Sequence, residues 1–250
     1  LAQAFFAIGA CAAPLIAMVC GASWRMAFGI TIALGVVSFV HGLRTQIGPD
    51  AFRVEETVGK PNLGFFKKKI FWICCVLLLC YLAFEASVMG WLVTFFIDSG
   101  AVNAQTAQLL ATALWGALLI GRFASAWFAT RFSPQQMICV MTVGTAICFS
   151  VMMFSHSLLP MAIGTFGVGL FMAGMYGTTL GGSDNLIGQY PMCMGMFIVI
   201  PGVGSAVTQS AIGAIADRIG IRGGMYVLYV LVALMLAATV LFVAHGKKKS

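Results

Sequence analysis

The sequence predicts an all-α integral membrane protein, and three observations carry that prediction. Hydrophobic residues make up 61% of the 250-residue chain and charged residues only 8%, with a mean hydropathy of +1.01, whereas soluble globular chains are about 45–50% apolar. The apolar residues gather into runs of roughly 18 or more, the length a helix needs to cross a ~30 Å hydrocarbon core. Most of the charges fall between those runs rather than inside them.

Taken in order, the runs predict eight helices, at about 1–21, 24–42, 70–96, 104–129, 137–154, 159–181, 192–215 and 224–245. The first two are separated by the short polar step around Arg25. A linker follows at 43–69, where Pro49, Asp50, Glu55, Glu56 and Pro61 break the apolar pattern. The remaining six helices run from 70 to 246 with one further loop of note, GGSDNLIGQYP at 181–191, and a tail at 247–250. The chain therefore reads as two helices, a linker and a six-helix unit.

Charge placement sets the expected orientation. Of the fourteen Lys and Arg, eleven lie on the side of the linker and tail (Arg44, Arg53, Lys60, Lys67, Lys68, Lys69, Arg122, Arg131, Lys247, Lys248, Lys249), and three lie opposite (Arg25, Arg218, Arg222). The positive-inside rule then makes the linker and C-terminus cytoplasmic, in a multi-pass protein of the plasma or inner membrane. The net charge of +7 accordingly reflects topology and anionic lipid headgroups, not nucleic acid.

The chain starts at Leu1 with no charged n-region and no cleavage signal, which excludes a secretory signal peptide and reads as a fragment. A faint internal similarity points the same way. AIGACAAPLIAMVCGASWRMAFGI and GVGSAVTQSAIGAIADRIGIRGGMYVL share a small-residue helix opening at Gly9 or Gly204, a breaker or amide five residues on (Pro14 or Gln209), and an Arg in the next turn (Arg25 or Arg222). Parallel repeats of this kind relate the halves of some carriers. On that reading 1–42 are the last two helices of one half and 70–246 a whole second half.

Four stretches resemble one family, the major facilitator superfamily, and within it the branch of fucose–proton symporters and related sugar carriers. They are FFAIGACAAPLI (5–16), YLAFEASVMGWLVTFF (81–96), LLIGRFASAWFATRFSP (118–134) and GVGSAVTQSAIGAIADRIG (202–220). The second, with Glu85 and Trp91 six apart, is the most specific. The third departs from the superfamily pattern, because Thr130 stands where an Asp is frequent before the Arg. The resemblance implies a twelve-helix alternating-access carrier, its last eight helices present here, with the site between two six-helix halves.

Glu85 is the only ionised residue between Ile70 and Ile97. Counted from Ile70 it lies about 22 Å along the helix, near mid-membrane, where an acid costs at least ~2.5–3.5 kcal/mol on insertion scales. Two readings reconcile that cost with folding: Glu85 faces a water-filled cavity and titrates in proton coupling, or it is a buried, protonated hydrogen-bonding partner that pins neighbouring helices. Arg122, counted back from Ala129, falls some 10 Å up its own helix, about 12 Å below Glu85. That depth argues against direct pairing and for a gating role near the membrane surface, which Arg131 shares.

A sugar site needs amides, hydroxyls and ring faces at depth. Trp91 and Thr94 share one helix face and Tyr81 and Glu85 another, and a break at Gly90 would bring both to one cavity. Trp115, Tyr176 and Gln209 sit at comparable depth on other helices. Each aromatic equally fits lipid-facing packing, whereas Gln209 favours the protein interior, because an amide in lipid has no partner.

Other features carry no chemistry. The eight Cys lie in or beside apolar helices without a CxxC pair, and no metal site is expected. GTFGVGLFMAG (164–174) predicts close helix packing rather than a phosphate loop. Asp217 and Arg218 read as a cap and ion pair in a loop. One mid-membrane acid without companions does not make an enzyme. The expectation is a monomeric secondary active transporter for a sugar or similar small polar solute, with no cofactor beyond a transmembrane gradient of H+ or Na+. The rival is a proton-coupled multidrug or metabolite exporter of the same fold, which the 15 Met and 20 Phe would suit.

Overall fold

The computed structural model describes Ile16, Cys20, residues 24–44 and residues 62–247. Most of the predicted helix 1–21, the linker up to residue 61 and residues 248–250 lie outside the described residues. The first described helix, α1 (Trp24–Arg44), carries His41 and Arg44 in its last turn, where the Arg44 charge meets the negative end of the helix dipole. Phe28, Ile32, Leu34, Val37 and Phe39 are exposed along it.

The end of the linker is ordered where the sequence predicts loop. Residues Leu63–Lys67 form a 3-10 turn, started by the Asn62 side chain accepting from the Gly64 N–H at 3.1 Å. The turn buries Phe65 completely, and Trp72 Nε1–H donates to the Phe66 carbonyl at 2.8 Å. Aromatic packing thus attaches this stretch to the base of the next helix.

That helix, α2 (Lys69–Asp98), has 30 residues, about 45 Å of length, which overshoots a ~30 Å core. It is the axis of the bundle, packing most extensively on α8 and then on α9 and α3. Its buried rings interlock with neighbours: Phe71 stacks on Phe197 of α8 (Cys193–Met225) at 5.4 Å, and Phe84 meets Phe149 of α4 (Pro134–Phe154) edge-on at 5.0 Å. It runs unbroken through Gly90, so the predicted break there does not occur.

Helix α3 (Ala104–Phe128) starts where Asn103 accepts from the Thr106 N–H at 2.8 Å. Helix α4 (Pro134–Phe154) begins three residues before the predicted start, because Ser133 and Gln136 make a capping box and Pro134 suits the first turn. The span predicted at 159–181 is two helices, α5 (Leu158–Met172) and α6 (Met175–Gly181), separated by a turn at Ala173 and Gly174. The predicted loop at 181–191 holds a short helix, α7 (Asp184–Gln189).

Helix α8 (Cys193–Met225) outruns its predicted end at 215, and α9 (Val227–Lys247) follows. Its interruption comes at Gly220, with φ 82° and ψ 162°, a conformation open in practice only to glycine. Asp217 and Arg218 therefore sit exposed on a helical turn, not in a loop.

Among the described residues six helical stretches are long and apolar enough to cross a membrane: α2, α3, α4, α5 with α6, α8 and α9. Glycines set how closely some of them meet. A Cβ on Gly121 would stand 2.5 Å from the Leu170 carbonyl oxygen, on Gly169 2.6 Å from that of Leu114, and on Gly164 2.7 Å from the Met152 nitrogen. Small residues replace the hydrophobic effect as the means of association inside a membrane, and here they bring α5 into backbone contact with α3 and α4.

Candidate solute cavity

A cavity of about 710 Å³ opens between α2, α3, the start of α4, α6 and α8. Ala129, Phe132, Gly181 and Asp184 line it near the end of the bundle at which α2 begins; Tyr81, Glu85, Arg122 and Tyr176 line it deeper in. We call the first of these the basic end, for Lys67, Lys68 and Lys69.

The α5–α6 turn positions much of this wall. At Gly174 a Cβ would lie 2.4 Å from the Cβ of Ser125, so only glycine lets the chain turn against α3 at that level. Ser125 in turn donates its hydroxyl to the Arg122 carbonyl at 3.0 Å. Helix α6 then presents Tyr176, Gly177 and Thr178 to the cavity. Interrupted helices at membrane depth persist where they are enclosed by protein or face a water-filled space.

The charged centre corrects the sequence expectation for Arg122. Its Nη2 lies 3.8 Å from Glu85 Oε1, with the two side chains 22% and 10% exposed. Depth counting failed because it set the ends of both helices at one level. The 3.8 Å contact requires the two helices to be offset along the bundle, with the long Arg side chain covering the remaining gap. The Tyr81 hydroxyl, one turn before Glu85, faces the same carboxylate. At 3.8 Å and an effective dielectric constant near 20 the attraction is about 4 kcal/mol before desolvation is subtracted.

The other predicted residues go elsewhere. Trp91 lies against Gly213, where a Cβ would be 3.3 Å from its ring, and the Gln209 amide oxygen lies 3.1 Å from the position of a Cβ on Gly90. Both therefore occupy the α2–α8 seam, outside the cavity lining. Thr94 is exposed on α2, and Trp115 packs half-buried against the core from α3. Arg131, in the α3–α4 turn, holds its guanidinium 4.1 Å from the centre of the Trp127 ring, a cation–π contact rather than a cavity position.

Three structural features escaped the sequence reading. Asp184 lines the cavity mouth, although its place in a polar loop suggested simple solvation. The turn at Ala173 and Gly174 was hidden because glycine is common inside membrane helices. Arg222 donates from Nη2 to the Met153 carbonyl at 2.7 Å, close to the end of α4. No group of three metal-ligating side chains converges among the described residues, and Cys74, Cys80 and Cys193 are core packing.

Six apolar spans around a cavity with an ion pair in its wall define a multi-spanning helical membrane protein with a polar interior site. Comparison with known sequences adds two relatives. No family model matches the chain. It is 27% identical over 122 residues to the major facilitator superfamily domain-containing protein 4A of Mus musculus, covering 48% of this chain and 24% of that protein. The Danio rerio protein of the same name is 27% identical over 157 residues, covering 55% of this chain and 30% of the relative. The chain thus spans less than a third of the curated relatives it matches. These similarities support membership of the major facilitator superfamily, and the all-helical architecture is consistent with part of that fold.

Proposed function

We propose that the protein is a secondary active transporter that moves a sugar or similar small polar solute by alternating access and couples the movement to protons. Major facilitator relatives are transporters, not enzymes, and the observation that carries the reading here is the Glu85–Arg122 pair in the wall of the 710 Å³ cavity. An acid held by a cation at a cavity wall has two states of different charge. With Glu85 ionised, the pair ties α2 to α3; a proton on Glu85 removes the attraction and frees Arg122 toward the cavity. Tyr81 and Tyr176 offer hydroxyls and ring faces at the same level, groups suited to a polyol. The sugar assignment rests on the resemblance around Glu85 and Trp91, and the carrier acts as a monomer in the plasma or inner membrane, its basic end cytoplasmic.

The test is counterflow and gradient-driven uptake of radiolabelled hexoses in proteoliposomes, wild type beside Glu85→Gln. The expected result is hexose exchange by both and accumulation under a pH gradient by wild type alone. Accumulation driven by a sodium gradient instead would reassign the ion. Absence of hexose movement in either, with proton-driven efflux of lipophilic cations, would replace the sugar carrier with an exporter.

A further inference from the structure

A second polar cavity, of about 350 Å³, lies at the basic end and shares no lining residue with the solute cavity. It is enclosed by the start of α2, the start of α4, the α6–α7 turn and the last turn of α9. Lys68 and His245 face it, together with the amides of Gln135, Asn185 and Gln189; among the described residues no Asp or Glu lines it. The neighbouring carboxylate, Asp184, lines the other cavity.

We propose that this pocket binds a phosphate ester group. Besides Ser183, whose hydroxyl donates to the Leu180 carbonyl at 2.9 Å, five side chains able to donate hydrogen bonds converge on it from four elements, and among the described residues none of the five has a hydrogen-bonding partner in the protein. The Gln135 amide lies close against α9: a Cβ on Gly246 would stand 2.6 Å from its Nε2, so only glycine there leaves the amide this position. A cationic pocket with surplus donors and no acceptor carboxylate suits a ligand that carries negative charge and several acceptor oxygens. A phosphate monoester has both, about −1.5 to −2 charges and three strong acceptors.

The position narrows the source to two. Basic pockets between membrane helices at the cytoplasmic surface hold phosphorylated lipid headgroups, and Lys67 and Lys69 beside Lys68 add attraction at the same level; a free phosphorylated solute would meet the same donors. Either ligand would bridge the two ends of the six-span unit, tying the start of α2 to the end of α9.

The experiment follows thermal unfolding of the purified full-length protein in detergent while a probe is titrated. The probes are short-chain phosphatidylinositol monophosphate, inorganic phosphate, and short-chain phosphatidylcholine as a control. Wild type is expected to show saturable stabilisation by the phosphoinositide. Affinity should fall at least about tenfold in Lys68→Gln and in His245→Gln, and clearly less in Lys67→Gln, which removes the same charge one residue outside the pocket. Lys67 and Lys68 are both exposed, so neither change disturbs the core. Stabilisation by phosphoinositide alone assigns a lipid headgroup, and equal stabilisation by inorganic phosphate assigns a soluble ester. Stabilisation by neither, equal stabilisation by phosphatidylcholine, or an equal loss in Lys67→Gln would overturn the proposal.

Discussion

Replacing Arg122 with Gln strands the Glu85 carboxylate in a place where its side chain is only 10% exposed, whereas replacing Glu85 with Gln leaves an Arg122 that is 22% exposed and can turn to the cavity. The two losses should therefore be unequal. A buried charge deprived of its partner costs about 3–5 kcal/mol, so Arg122→Gln is expected to lose about 3 kcal/mol, and Glu85→Gln about 1 kcal/mol, nearer the value for an exposed pair. The double variant should lose less than the two singles together. The roughly 4 kcal/mol of attraction at 3.8 Å is gross of desolvation, which leaves an expected coupling of about 2 kcal/mol, inside the range for groups in contact. The assay is reversible unfolding in mixed micelles, followed by far-ultraviolet circular dichroism for wild type, both singles and the double. Additivity within about 0.5 kcal/mol would show that the pair does not hold α2 to α3, and with it the charge-switch reasoning would fall.

Two further outcomes follow from the packing. Gly121→Leu must push against the Leu170 carbonyl at 2.5 Å, which is backbone and cannot yield; a loss of about 1–3 kcal/mol is expected. Gly116→Ala, with open space at the Cβ position, should leave the unfolding midpoint unchanged, and equal effects at both sites would refute the close contact of α3 with α5. Arg222→Ala removes the 2.7 Å bond to Met153, a charged hydrogen bond worth about 1.5–3 kcal/mol. Amide exchange in the last turn of α4 should then accelerate, with Arg222→Lys intermediate; unchanged exchange would show that the contact does not restrain that helix end.

Helix positions were legible in the sequence wherever a long apolar run ended at a polar or capping residue, as at Asn103 and Asp98. They were not legible where a helix continues through charge: Asp217 and Arg218 read as loop, yet exposed charges at a helix end reach water without disturbing the backbone hydrogen bonds, so α8 runs on to Gly220. Glu85 was legible as a site because one acid in an apolar run needs an explanation. Its partner was not, because depth counted along two separate helices omits their relative shift, and Arg122 covers the difference with its own length. The dispersal of Trp91 and Gln209 to the α2–α8 seam was equally invisible. Helical spacing tells which residues share a face but not which neighbour that face meets.

The glycine contacts divide the unit mechanically. Where α5 meets α3 and α4, the Cβ positions of Gly121, Gly164 and Gly169 fall 2.5–2.7 Å from main-chain atoms of the facing helix, and surfaces that close can neither slide nor roll without collision. Below the turn at Ala173 and Gly174 the partners change. Tyr176, Gly177 and Gly181 face the cavity instead of a helix, and a Cβ on Gly177 or Gly181 would meet nothing within 4 Å. On the other wall α8 carries Pro201 in its interior, where the missing N–H and the ring weaken a helix. The rigid contacts thus lie on the α3–α4–α5 side, and the freedom lies in α6 and α8. An ion pair between α2 and α3 at the head of the cavity ties the axis helix to the rigid side there, so loss of that pair loosens α2 from α3 and leaves it held by α8, its largest packing partner, and by α9, which packs on α4.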